Sequence, residues 1–244
     1  MAIFGNVLTA MVTPFKSDLS IDWKRVEEIA KYLCENGSEG LVVHGTTGES
    51  PTLTHEEEYE LYRVVKKTVG NRCKIIAGTG SNSTETTIKS SREAEKIGVD
   101  GLMVVVTYYN KPSAEGLYQH VKMVAEKTSL PIIMYNIPGR TGINMTPETT
   151  ARLAETKNII GLKDAAGNLD QTSATRQLCP KDFSIWSGDD SLTLPMLAVG
   201  AIGIISVASH IVGIEIAEMV SAFHRGDVKK ATEIHLRLLP IFKV

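Results

Sequence analysis

The feature that most constrains this chain is a recurrence. Eight short apolar runs stand along its 244 residues: Val7–Val12, Leu41–Val43, Lys74–Ala77, Leu102–Val106, Ile132–Tyr135, Ile159–Leu162, Ile185–Trp186 and Ile202–Val207. Successive runs mostly begin about 25 to 34 residues apart, the length of a βα unit. Each of the first seven is followed by a longer stretch that mixes polar and apolar residues. Within a run the apolar residues are consecutive and do not alternate, as in parallel strands covered on both faces. Eight such units without a linker predict one (β/α)8 barrel. A doubly wound open sheet is built from the same units. It would leave two edge strands, and no run here reads as an edge.

Helix signals fill the intervals. Thr54-His-Glu-Glu57 reads as a capping box. Thr146-Pro147 sets an N-cap before proline in the first turn. Gly37, Gly70 and Gly98 follow helical stretches and suit C-caps. Tyr59, Leu61, Tyr62, Val65 and Val69 share roughly one helical face. After the eighth run come helical stretches near Ile214–His224 and Val228–Leu239, separated at Gly226. The sequence closes on Pro240-Ile-Phe-Lys-Val244, an apolar ending straight after a helix. The expectation is a catalytic barrel over residues 1–224 and the start of a shortened C-terminal helical region over residues 225–244.

Charge and composition narrow the functions. Lys plus Arg is 26 and Asp plus Glu is 28, for a net charge of −2. That lacks the basic footprint of a general nucleic-acid or acidic-membrane binder. Leu102–Val106 is too short to cross a bilayer, and the first ten residues carry no basic region typical of a signal peptide. Cys34, Cys73 and Cys179 are odd in number and distant in sequence, with no C-x-x-C. Neither a disulfide framework nor a cysteine zinc site is expected, and a cytoplasmic location is.

In a barrel, chemistry sits at the C-terminal ends of the strands. Strand two leads into His44-Gly-Thr-Thr-Gly-Glu-Ser50. Two glycines and two hydroxyls suit a small carboxylate, and the same residues also suit a tight strand-to-helix turn. The Gly-Lys-Ser/Thr ending of a phosphate loop is missing. His55-Glu-Glu-Glu-Tyr59 begins like a metalloprotease helix but lacks the second histidine, so no metal is expected. Strand five leads into Tyr135-Asn-Ile-Pro-Gly-Arg140. The tyrosine can shuttle protons and the arginine can grip a carboxylate; alternatively they cap the barrel and lie in solvent. Lys163 follows directly after the apolar strand six. Pointing into the barrel mouth, it would lose its charge to desolvation and become a Schiff-base nucleophile; turned outward, it would be an ordinary surface lysine. Asp189 and Asp190 have no histidine or further carboxylate at ligand spacing, so they are expected to cap a loop. Tyr108 and Tyr109 suit an interface contact or a proton path.

Four motifs occur in order: Gly45-Thr-Thr-Gly-Glu49, Tyr108-Tyr-Asn-Lys-Pro112, Tyr135-Asn-Ile-Pro-Gly-Arg-Thr-Gly142 and Gly161-Leu-Lys-Asp164. Together they resemble the dihydrodipicolinate synthase family of pyruvate-dependent class I aldolases and lyases. The likeness runs from Val7 to beyond Ser206. It implies a (β/α)8 barrel, a homotetramer, a step of lysine and diaminopimelate biosynthesis, and no metal or organic cofactor. The substrates implied are pyruvate and L-aspartate 4-semialdehyde. By the same resemblance, Lys163 is the Schiff-base lysine. Tyr135 and Thr46 relay protons, with Tyr109 reaching into the neighbouring subunit's site. Thr47 holds the pyruvate carboxylate, Arg140 recruits the carboxylate of the aldehyde, and the Ile205 carbonyl lies near the reacting lysine. Ser50, His55, Asn82 and Tyr108 match part of an allosteric lysine cleft. Glu58 and Thr86 stand where lysine-sensitive relatives often carry histidine and glutamate, which implies weak inhibition by lysine. Two other readings remain at this point. One is a sister aldolase, such as an N-acetylneuraminate lyase or a keto-deoxy-sugar acid aldolase, though Arg140 favours a short substrate with its own carboxylate. The other is a truncated, inactive barrel.

Overall fold

The computed structural model describes residues 3–243; residues 1, 2 and 244, at the outer ends of the two expected segments, lie outside it. Eight strands form: β1 (Val7–Ala10), β2 (Gly40–Val43), β3 (Lys74–Gly78), β4 (Gly101–Val105), β5 (Ile132–Asn136), β6 (Ile159–Asp164), β7 (Ser184–Ser187) and β8 (Gly203–Ser206). Each pairs in parallel with its sequence neighbours, and β8 closes onto β1 through Val7 opposite Ile204. The sheet is therefore a closed barrel with no edge, and the open-sheet alternative falls away.

Consecutive apolar residues are needed because both faces are covered. Leu8, Val42, Ile76, Met103, Ile133, Tyr135, Trp186 and Ile205 fill the interior together with Phe4. Leu41, Ile75, Leu102, Ile132 and Leu162 face outward into the layer beneath the helices. Bulky rings plug the floor where the strands offer glycine. A Cβ on Gly101 would come within 2.3 Å of Phe4 Cζ, and one on Gly161 within 2.6 Å of the Trp186 ring.

The outer ring comprises α1 (Trp23–Glu35), α2 (His55–Val69), α3 (Thr84–Ile97), α4 (Ala114–Ala125), α5 (Pro138–Thr141), α6 (Pro147–Ala154), α7 (Leu169–Leu178), α8 (Thr193–Ala198), α9 (Ser209–His224) and α10 (Val228–Phe242). The capping box at Thr54 and Glu57 is formed in full, and Thr146 caps α6 ahead of Pro147. Gly70 and Gly98 are the C-caps of α2 and α3. Gly37 stands one position past the C-cap of α1, which is Asn36. Helix α9 begins five residues earlier than the pattern suggests, at Ser209, and kinks at Val212. Gly213 hides this start in the sequence, yet it lets α9 press on the end of α1: a Cβ there would lie 2.2 Å from the Asn36 carbonyl oxygen. Helix α10 buries Ala231, Ile234 and Leu238 in one cluster with Ile216, Met219 and Val220 of α9. No helix among the described residues is long and apolar enough to cross a membrane.

Candidate active site

Strand register builds the centre of the site. Tyr135 of β5 pairs with Lys163 of β6, and Lys163 pairs with Trp186 of β7. All three therefore stand at one level of the barrel and share its interior. Lys163 is 4% exposed, and its Nζ lies 4.4 Å from the centroid of the Tyr135 ring. Burial is the main force on the amine and lowers its pKa to about 8. The Asp190 carboxylate opposes this and the Arg140 guanidinium adds to it. Burial likewise pushes the Tyr135 phenol up to about 12, against the pull of Arg140. The pair is thus a readily deprotonated amine beside a firmly protonated phenol.

Backbone bonds hold that geometry past the strand ends. Ala165 N–H donates to the Asn136 carbonyl at 2.9 Å, and Gly188 N–H to the Asp164 carbonyl at 2.8 Å. The Asp164 carboxylate accepts from the Thr172 hydroxyl at 2.7 Å and from Ala166 N–H at 3.0 Å. Fully buried Asn136 ties the following loop through Asn144 at 2.8 Å and Met145 N–H at 3.0 Å. Gly188 leaves room for the amine, since a Cβ there would press to 3.2 Å from Lys163 Cε and 2.8 Å from Ala165 Cβ.

Thr46 opens a single 3-10 turn, Thr46–Gly48, after Gly45. The Thr13 hydroxyl fastens this turn by donating to the Gly48 carbonyl at 2.7 Å. Gly45, Thr46 and Tyr135 line one small cavity with His44 and Ser50. Thr47 is half-buried in the same turn. Arg140 lies exposed on α5, within electrostatic reach of both Lys163 and Tyr135. Ile205 is buried in the barrel interior with Tyr135 and Trp186. Tyr109 is different: it is 90% exposed, with φ at 73°, and it does not line that cavity. Asp189 and Asp190 do cap loops. Asp189 accepts from the N–H groups of Ser191 and Leu192. Asp190 accepts from the Ser206 hydroxyl and the N–H groups of Val207 and Ala208.

A second cleft lies beside the first. Ser50, His55 and Tyr108 line it, as do Glu58 and Thr86. Asn82 is not in its lining; its carbonyl accepts from the Asn110 side chain at 2.9 Å. Glu58, 2% exposed, accepts from His55 at 2.8 Å, from the Tyr62 hydroxyl at 3.0 Å and from the Ser90 hydroxyl at 3.3 Å. A larger cavity of about 760 Å³ opens at the other end of the barrel, near Asn6, Glu39 and His224, away from Lys163.

Sequence reasoning left the surroundings of three groups unread. Asp190 reaches Lys163 electrostatically as well as capping its loop. Glu58 sits in the run Glu56-Glu57-Glu58, whose acidic first turn explains itself by capping, so nothing marks the third member as buried. His44 precedes the glycine of its motif with φ at 62°, a conformation that a sequence does not announce for histidine.

A profile of the dihydrodipicolinate synthetase family matches residues 3–244. The chain belongs to this family. It is 59% identical over 240 residues to the 4-hydroxy-tetrahydrodipicolinate synthase of Moorella thermoacetica, covering 98% of this chain and 82% of that one. Among solved structures, the dihydrodipicolinate synthase DapA-2 of Bacillus anthracis superposes with a TM-score of 0.97 at 48% identity, covering 100% of this chain and 83% of that one. The synthase of Cyanidioschyzon merolae with lysine bound gives a TM-score of 0.97 at 49% identity, covering 98% and 82%. Family membership accounts for the order of the four motifs, and it agrees with the barrel found here.

Proposed function

We propose that this family member condenses pyruvate with L-aspartate 4-semialdehyde to give 4-hydroxy-tetrahydrodipicolinate, for lysine and diaminopimelate biosynthesis. One observation carries the reading: a buried Lys163 amine held over the Tyr135 ring at 4.4 Å, with its pKa lowered to about 8. Imine formation begins when the amine lone pair adds to the keto carbon of pyruvate, so the amine must be neutral. At pH 7 a group with pKa 8 is neutral in roughly a tenth of molecules, against about one in 3,000 for an unperturbed lysine. The carbinolamine then loses its hydroxyl as water. The phenol of Tyr135 supplies the proton and Thr46 serves as its partner. Thr47 holds the pyruvate carboxylate, and the Ile205 carbonyl takes a polar contact near Nζ. Loss of a methyl proton gives an enamine, whose carbon attacks the aldehyde. Arg140, exposed at the mouth, orients the aldehyde through its carboxylate and so lowers the entropic part of the barrier. Its preference for a short acid separates this reading from the sugar-acid aldolases.

Tyr109, exposed on a strained loop, fits a residue donated to a second subunit, which supports a homotetramer; a cytoplasmic location belongs to the same biosynthetic reading. Residues 1–224 are read as the catalytic barrel and residues 225–244 as part of a helical region packed on it. The test is borohydride reduction in the presence of pyruvate, followed by peptide mass analysis, with a steady-state assay using the semialdehyde. An adduct on Lys163 and turnover are expected. Absence of the adduct would end the proposal.

The trapping rate should also rise with pH through about 8 and then level off. The active species is the deprotonated amine, and the lowered pKa brings it forward. A rate that instead climbs tenfold per pH unit to beyond 10 would mean an ordinary, hydrated lysine.

The expectation of weak lysine inhibition rested on position 86 lacking a carboxylate. Thr86 leaves that premise standing; Glu58 in the same cleft favours a second reading, in which its carboxylate binds lysine there. Titration calorimetry should detect binding, and Glu58→Gln should weaken it by about tenfold or more, the loss of one charge-assisted contact. Equal affinity in the two chains would remove Glu58 from the lysine site.

A further inference from the structure

His44 has no place in the chemistry above, yet its position is costly. It adopts φ 62° without being glycine, a strain that persists where the surroundings impose it. Its Nδ1 lies 3.0 Å from the Gly78 carbonyl, which fixes the proton on Nδ1 and leaves a lone pair on Nε2. That Nε2 is buried with no hydrogen-bond partner among the described residues. A buried, unanswered acceptor loses about 1–3 kcal/mol. His44 lines a cavity of about 20 Å³ that Thr46 and Tyr135 also line. Such a cavity has room for one water.

Behind the ring stands a counter-charge. Glu58 Oε1 is 3.7 Å from His44 Nδ1, and the Tyr62 hydroxyl, 3.4 Å from the same nitrogen, donates to Glu58 at 3.0 Å. The other Glu58 oxygen meets His55 at 2.8 Å, and the His55 side chain is 48% exposed. A proton arriving on Nε2 would therefore create an imidazolium facing a carboxylate, with a route onward to solvent.

We infer that His44 is a positioning residue that stores a proton for the pyruvate half-reaction, through one water shared with Tyr135 and Thr46. The inference rests on the Schiff-base reading. When the imine becomes the enamine, a methyl C–H bond breaks. Its electron pair forms the C=C bond, and the C=N pair returns to nitrogen. The proton passes to a hydroxyl oxygen of the Tyr135–Thr46 pair. That hydroxyl releases its own proton through the water to Nε2. No oxidant or reductant takes part, and the proton returns when the aldehyde oxygen needs it.

The experiment follows deuterium entering the methyl group of pyruvate in D2O without the aldehyde, by NMR, with borohydride trapping on the same samples. His44→Gly accepts the left-handed backbone and removes the imidazole. It should slow methyl exchange by about tenfold or more while the final extent of trapping on Lys163 is unchanged. Added imidazole should restore exchange in this variant and leave the parent unaffected. His44→Asn, which also tolerates this backbone, should lose exchange to a similar extent without rescue, and it keeps the test valid if the glycine variant fails to fold. Glu58→Gln should show a smaller loss. Exchange at the parental rate in either folded His44 variant, or a loss in His44→Gly that imidazole does not repair, would overturn the inference. If the parent chain traps no pyruvate, the Schiff-base reading itself fails and this inference falls with it.

Discussion

Lys163→Met is expected to form no pyruvate adduct, to lose at least about 10³-fold in kcat/KM, and yet to unfold at a higher temperature than the parent. The first two effects follow from removing the proposed nucleophile. The third follows from linkage. The amine titrates near 10.5 in the unfolded chain and at about 8 when buried in the barrel. Below pH 8 the unfolded chain holds its proton more tightly, so the native state bears a penalty on the order of 3 kcal/mol. The penalty shrinks as pH rises from 8 and vanishes near 10.5. Methionine fills similar space without a charge. Its advantage should be full at pH 7, a gain of roughly 6 to 12 °C in Tm for a chain of this size, and largely gone by pH 10. Melting curves at the two pH values check this. An equal shift at both, or a loss at pH 7, would show that the amine is not held at the expense of stability.

Tyr135→Phe is the second large effect. It keeps the ring that lies 4.4 Å from Nζ and deletes only the hydroxyl. Removing one positioned acid–base group costs about 10²–10⁴-fold. The loss should fall on the rate of trapping and on kcat, with the final yield of adduct preserved, because the nucleophile is untouched. Rapid-quench trapping separates the two quantities. A rate within threefold of the parent would mean that the phenol is only a floor for the amine.

The barrel was legible because a strand buried on both faces leaves an unmistakable trace of consecutive apolar residues. The same rule explains where the reading stopped short. Run six ends at Leu162, yet β6 continues through Lys163 and Asp164. A charged residue breaks the apolar pattern, and its pairing partners Tyr135 and Trp186 are far away in sequence. Lys163 and Tyr135 could each be singled out as candidates, but only the ladder sets one beside the other. Glu58 was illegible for a different reason. Three successive glutamates look equivalent in sequence, and the helical repeat turns one of them inward toward Tyr62 and Ser90. Tyr109 was visible as a phenol, and its exposure to solvent was not legible from sequence.

The pairing of Tyr135 with Lys163 by strand register has a consequence for how such enzymes diversify. Neither side chain depends on a loop for its placement, whereas Arg140 and the Thr46–Gly48 turn do. Exchanges around Arg140 would select a new electrophile while the keto-acid donor continues to be activated as before, whereas exchanges in the Thr46–Gly48 turn would also disturb the donor through Thr46 and Thr47. A library confined to the connection after β5 would explore acceptor scope on a constant nucleophile, one carbon–carbon bond at a time.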